Sequence, residues 1–184
     1  MDRSESPDPI AFLLAQSRAS GGRIRVEQDL NFDHPDLNAL RDIWLQKARL
    51  EQGLPTRASL DLRTLHPFAR HISIMERVPD EQGRSHYRFR LQGSLLAEYF
   101  GNQTGRFLED SIAPEHIAIW NAGYDALLAG GKALRVQIFY ETPGLRYLRS
   151  EVFAAPLGKK DGPPDSVFLA TYFAARVEDM PHDA

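Results

Sequence analysis

Six histidines, at 34, 66, 71, 86, 116 and 182, and no cysteine set the chemistry open to this chain. No two histidines have the i, i+4 spacing of a helical metal site, and no carboxylate cluster completes one. The lack of cysteine excludes disulfides, thiolate metal centres, iron–sulfur clusters, thiol nucleophiles and photochemistry through a cysteinyl–flavin bond. Ser59, Asp61 and His66 hint at a triad, but no G-x-S-x-G elbow accompanies them, and solvated loop residues are the simpler reading. Gly21-Gly22, Gly130-Gly131 and the loop at Gly158 form neither a Walker loop nor a dinucleotide fingerprint. Lys159-Lys160-Asp161 reads as a solvated hairpin tip. The expectation is no catalytic residue and no metal ligand.

The aromatic residues carry more information. Tyr99, Phe100, Phe107, Trp120 and Tyr124 fall on segments that must cover a sheet, and Phe89 and Leu91 face them from a strand. One reading is a filled core. The other is a cavity for a small apolar or aromatic ligand, oriented by a tyrosine hydroxyl, the indole N–H or an arginine. These seven residues are the candidate ligand site.

The elements that position them follow from periodicity. Pro9 to Ser17 or Arg18 reads as a short helix ended by Gly21-Gly22. Arg23 to Glu27 alternates weakly, as an edge strand or an extended arm. His34-Pro35-Asp36 opens an amphipathic helix, with proline at its first position and an acid where the helix dipole favours one. Leu37, Leu40, Ile43, Trp44 and Ala48 form its stripe, and Gly53 with Pro55 ends it. His71 to Val78 and His86 to Gln92 make a hairpin, with Ile72, Ile74 and Val78 on one face of the first strand. In the second, Tyr87, Phe89 and Leu91 face opposite to Arg88, Arg90 and Gln92. Ser94 is expected to cap a short helix over Leu95 to Phe100. A long helix begins at Pro114-Glu115, buries Ile117, Trp120, Tyr124, Leu127 and Leu128, and ends at Gly130-Gly131. Leu134 to Glu141, Tyr147 to Leu157 and Ser166 to Val177 read as three closing strands, the last apolar on both faces and so buried from both sides.

The predicted fold is therefore α+β: a five-stranded antiparallel sheet covered on one face by short helices and one long helix, with the amphipathic helix outside. The segments are an extension over 1–33, the amphipathic helix over 34–54, the sheet domain over 55–178 and a tail over 179–184. The 184 residues suit one domain with an extension, and 42% apolar residues suffice for a core. A net charge of −3 argues against nucleic acid or an anionic membrane surface as partner. No run is apolar enough to span a bilayer, and the acidic start lacks the basic region of a secretory signal. A cytoplasmic protein is expected.

Tyr87-Arg88-Phe89-Arg90-Leu91-Gln92-Gly93, then Leu95 and Leu96, Phe100-Gly101, and Thr104-Gly105-Arg106-Phe107-Leu108-Glu109-Asp110 occur in that order, after Leu54-Pro55-Thr56-Arg57, Leu60-Asp61 and Leu65. The series resembles a PAS domain, and specifically short bacterial proteins in which that domain fills most of the chain. The likeness covers roughly 37 to 177, with one residue fewer between Gly101 and Thr104 than the family pattern. Its glycines serve sharp turns, and Thr104 is placed to cap the short helix that follows. The resemblance implies a sensory fold. Haem-binding members use a histidine from the region of His116, whose first-turn position here implies exposure. No cofactor is expected, with haem and flavin as the groups the family would take.

Two functions fit. The first is a signalling module without an output domain, in which a ligand or protein partner shifts the packing of the sheet against helix 35–52 and a second chain reads the change. Its candidate partner surface lies on that helix and the extension, with Leu37, Leu40 and Trp44 named as interface residues of a homodimer. The second is a small hydrolase, dehydratase or isomerase on a cone-like α+β fold. It requires an acid–base pair in the pocket, and a titratable pair with a shifted pKa in the largest cavity would favour it.

Overall fold

Ser166 to Ala175 is apolar on both faces, and such a strand must lie inside a sheet covered on both sides. The computed structural model, which describes residues 23–140 and 148–175, places it there. Strands β1 (Ile24–Glu27), β2 (Ile72–Pro79), β3 (Ser85–Gln92), β4 (Leu134–Phe139), β5 (Leu148–Leu157) and β6 (Ser166–Ala175) form one antiparallel sheet. Its order is β1-β4-β5-β6-β2-β3. Four α-helices are described: α1 (Pro35–Glu51), α2 (Leu62–Leu65), α3 (Ser94–Phe100) and α4 (Pro114–Gly130). Helical 3-10 turns cover His66–His71 and Leu108–Asp110.

The sheet has six strands where five were expected. The sixth is β1, which settles the Arg23–Glu27 arm as an edge strand: Ile24 pairs with Ile138 and Val26 with Val136. An alternating segment of four residues has little pairing signal alone, and the register comes from β4. The expected helix over Pro9 to Ser17 or Arg18, its end at Gly21-Gly22 and the 179–184 tail lie outside the described residues.

Two cores lie on the two faces. On one, α1 lays Leu37, Leu40 and Trp44 on Phe153, Ala155, Phe168, Ala170 and Tyr172. The Trp44 indole N–H donates to the Pro156 carbonyl at 3.2 Å. The expected helical cover of the second face is thus supplied by α1. Leu37, Leu40 and Trp44 are buried within the chain and offer nothing to a partner, which corrects their assignment to a dimer interface. A stripe that fills a sheet face and one that fills a partner look the same in sequence. On the other face, α4 packs Tyr124, Leu127 and Leu128 against Val26, Met75, Tyr87, Leu134, Val152 and Val167.

Local signals fix the helix ends. Pro35 opens α1, and the His34 ring nitrogen Nδ1 accepts from the Asp36 N–H at 3.2 Å. Its left-handed terminal residue is Gln52 (φ 53°), one position before the glycine expected to end the helix. Gly93, not Ser94, is the residue before α3, and no side chain caps that helix. Thr104 caps no helix either, since the residue preceding the Leu108–Asp110 turn is Phe107. At the outer edge of β3, the Phe89 N–H donates to Arg106 O and the Gly105 N–H to Phe89 O, so the 105–107 segment shields that edge.

Candidate functional site

The long helix α4 leaves an apolar cavity of about 50 Å³ between itself and the sheet. Its helical wall is Ile119, Trp120, Gly123, Tyr124 and Leu127. Its floor is Leu134 and Val136 of β4, Val152 and Ala154 of β5 and Leu169 of β6, and Ile24 and Val26 of β1 close one side. The N-terminal arm is thus part of the cavity wall. A dry cavity of about 150 Å³ accommodates benzene, so in this packing the space admits no aromatic molecule. Its walls hold α4 through side-chain packing and one polar latch. Tyr87, fully buried on β3, donates its hydroxyl to Asp125 Oδ1 on α4 at 2.6 Å. Burial, then the carboxylate accepting its proton, pushes the Tyr87 phenol well above its ordinary range. The Tyr87 ring lies 4.9 Å from that of Tyr124, whose own pKa burial raises.

The seven candidate ligand residues separate. Trp120 and Tyr124 line the cavity, with rings 5.9 Å apart. Phe89 is half-buried against the same core without reaching the cavity. Leu91 is exposed and faces the other way. The reason is a β-bulge: Ile74 pairs with Leu91 and Met75 with Phe89, so Arg90 is an extra residue and inverts the alternation. Ile74 belongs to the α1 face and Met75 to the α4 face, which sends Leu91 and Phe89 to opposite sides. The extra residue lies on β3, so β2 keeps its alternation and Ile72 and Ile74 share the α1 face as expected.

Tyr99 and Phe100 project from α3 and are exposed. They gather with Phe173 of β6 and with Tyr140, just beyond β4: Tyr99 to Phe173 is 4.4 Å, Phe100 to Tyr140 5.9 Å and Tyr140 to Phe173 6.3 Å between ring centres. Burial raises the Tyr140 pKa, opposed by its hydrogen bond with Ser150 at 3.1 Å.

Phe107 belongs to neither group. It lines an open cleft of about 420 Å³ with Val78, Pro79, Asp80, His86, Glu109 and Asp110. Here His86 Nδ1 meets Glu109 Oε1 at 2.8 Å and Nε2 faces Asp80 Oδ2 at 3.4 Å. The hydrogen bonds to Glu109, then Asp80, raise the His86 pKa. Against the opposing effect of desolvation, hydrogen bonds from the Arg84 backbone and side chain and from His86 hold Asp80 down at about 2.

Other candidates dissolve into turns. Asp61 accepts from the Thr64 N–H and hydroxyl, Ser59 donates to the Thr56 carbonyl and His66 is exposed, so the three form no triad. His116 is exposed and absent from the cavity wall, and a 50 Å³ space fits neither a haem nor a flavin. No group of three or more His, Asp or Glu suited to a metal occurs among the described residues. No helix among them is long and apolar enough to cross a membrane.

Two polar constellations were invisible in sequence. The Tyr172 ring stacks with His71 at 3.8 Å and meets the His34 ring at a tilt of 32°, 3.9 Å away, and its hydroxyl donates to Asp36 Oδ2 at 2.9 Å. Burial, then the Asp36 acceptor, raises its pKa. Glu151, buried on β5, accepts from the Asp33 and His34 N–H groups, each at 3.1 Å, and from Arg135 at 2.6 Å. It anchors the entry of α1 to the sheet. No family model, no curated protein and no solved structure matches the chain, so the reading of the site rests on its own geometry.

Proposed function

We propose that this chain is a sensory module of the PAS type, in which an apolar or aromatic small molecule enters beneath α4 and the resulting shift is read by a protein partner. The observation that supports it is the α4 cavity: apolar, bounded by elements from both ends of the chain, and about 50 Å³ in this packing. A molecule larger than the space binds only when α4 moves off the sheet. Binding and movement are then one event, which is the requirement for a population shift. Strands β5 and β6 carry the α4 core on one face and the α1 core on the other, so a repacking beneath α4 reaches α1 through shared backbone. The element order of a hairpin, helices and three strands, with those helices over one face, is also what the PAS resemblance implied.

The test is a calorimetric titration with indole and a series of alkylbenzenes. Saturable binding that Val136→Phe abolishes, with the fold retained by circular dichroism, supports the reading. Absence of binding across the series, or binding indifferent to Val136→Phe, refutes it.

One observation favours the enzyme reading: the wider cleft holds a titratable pair, His86 and Glu109, with the histidine pKa raised. The cleft is open, however, and both imidazole nitrogens face carboxylates. Such contacts favour the protonated ring, in which neither nitrogen offers a lone pair to a substrate. A hydrolase screen abolished by His86→Gln is the result that would reverse this preference.

A further inference from the structure

We infer that the aromatic patch formed by Tyr99, Phe100, Tyr140 and Phe173 is the docking surface for the chain's own N-terminal segment, Ile10 to Leu14. Tyr99 and Phe100 are the large aromatic residues left exposed among the described residues. They are not scattered, because their rings pack with Phe173 and Tyr140 into a single patch. Contiguous exposed apolar surface of this kind marks a binding site more often than an isolated apolar residue does.

The occupant follows from where the chain enters the fold. Strand β1 runs antiparallel to β4, with Ile24 opposite Ile138, and the Phe139 N–H donates to Arg23 O at 2.8 Å. Arg23 thus lies beside Phe139, the residue that precedes Tyr140 at the rim of the patch. The residues before it include Ile10, Phe12, Leu13 and Leu14, an apolar group within an otherwise polar stretch. Eight residues separate Leu14 from Arg23, a reach of at most about 32 Å over the nine steps at roughly 3.3–3.6 Å each. The patch begins at the tether point, so the segment reaches all four rings. A short tether supplies an effective concentration on the order of millimolar. A segment whose untethered Kd is about 100 μM would then be docked in roughly nine molecules of ten. This surface is separate from the cavity beneath α4 and does not depend on a ligand there.

The test uses the full chain, a form lacking residues 2–20, and the double variant Phe12→Asp, Leu13→Asp, whose changes lie outside the described fold. A fluorescein-labelled peptide of residues 5–18 is titrated into each and followed by anisotropy. The expected result is saturable binding to the deletion form and the double variant, about tenfold weaker binding to the full chain, and loss of binding in a deletion form carrying Phe100→Ser. A rise in bis-ANS fluorescence on deletion accompanies it. Equal peptide affinity for full and deleted chains, or no binding to either, overturns the proposal. So does concentration-dependent dimerisation of the full chain that Phe100→Ser abolishes, which assigns the patch to a second copy.

Discussion

Tyr87→Phe separates a latch from a mere core contact. The hydroxyl is the direct polar bond from β3 to α4, at 2.6 Å to a carboxylate. A hydrogen bond to a charged group contributes about 1.5–3 kcal/mol. Asp125 is half-buried, so water recovers part of that loss and the lower half of the range is expected. For a domain of this size 1 kcal/mol moves Tm by about 2–4 °C, giving a fall of roughly 3–8 °C in differential scanning calorimetry. A purely structural hydrogen bond makes the same prediction, so the second readout decides. If the latch holds α4 on the sheet, removing about 1.5–2 kcal/mol raises the population of the lifted state by roughly 10–30-fold, and the apparent affinity for indole rises by that factor. A less stable protein should bind more tightly. Weaker or unchanged binding with the expected Tm loss would refute the coupling of binding to α4 movement.

Three further outcomes follow from the geometry. Glu151→Ala leaves the Asp33 and His34 N–H groups at the start of α1 without their acceptor and Arg135 with Glu27 and Asp33 alone, and about 2–3 kcal/mol should be lost in urea denaturation; a loss under 1 kcal/mol contradicts the anchor. Gly93→Ala drives a Cβ into the carbonyls of Arg70 and Ala69, whereas Gly83 has open space around it. The Gly93 variant should therefore lose well over the ~1–2 kcal/mol that a left-handed alanine costs at Gly83, by thermal melts of both. The raised His86 pKa means that its protonated form stabilises the fold, fully so below about pH 6.5, with the contribution lost as pH rises through the folded value. His86→Gln should cost more at pH 5.5 than at pH 8.5, and the opposite order would contradict a stabilising role for the contacts of His86 with Glu109 and Asp80.

What the sequence discloses is what depends on local pattern. The two apolar faces of Ser166 to Ala175 forecast a central strand, and Pro35, Pro114 and Gly131 mark helix ends through backbone geometry that neighbours scarcely alter. What it conceals depends on partners far along the chain. The bulge at Arg90 is set by how β3 meets β2, and a single extra residue sends Leu91 away from Phe89. Glu151 reads as a surface carboxylate until Arg135 and the start of α1 arrive from 16 and more than a hundred residues away. Tyr172 gives no hint that His34 and His71 pack against it. At the candidate site, Trp120 and Tyr124 were legible from the helical stripe. Ile24 and Val26 were not, because an arm becomes a wall only once β4 pairs with it.

Amide hydrogen exchange with and without saturating indole reads directly whether a molecule beneath α4 moves that helix and reaches α1. Movement of α4 on binding should give faster exchange in α4 and, across the sheet, a measurable change in α1, while α2 stays constant. Exchange altered in α4 alone would show that nothing passes to the opposite face, and unaltered exchange at saturation would show that the ligand enters without moving the helix.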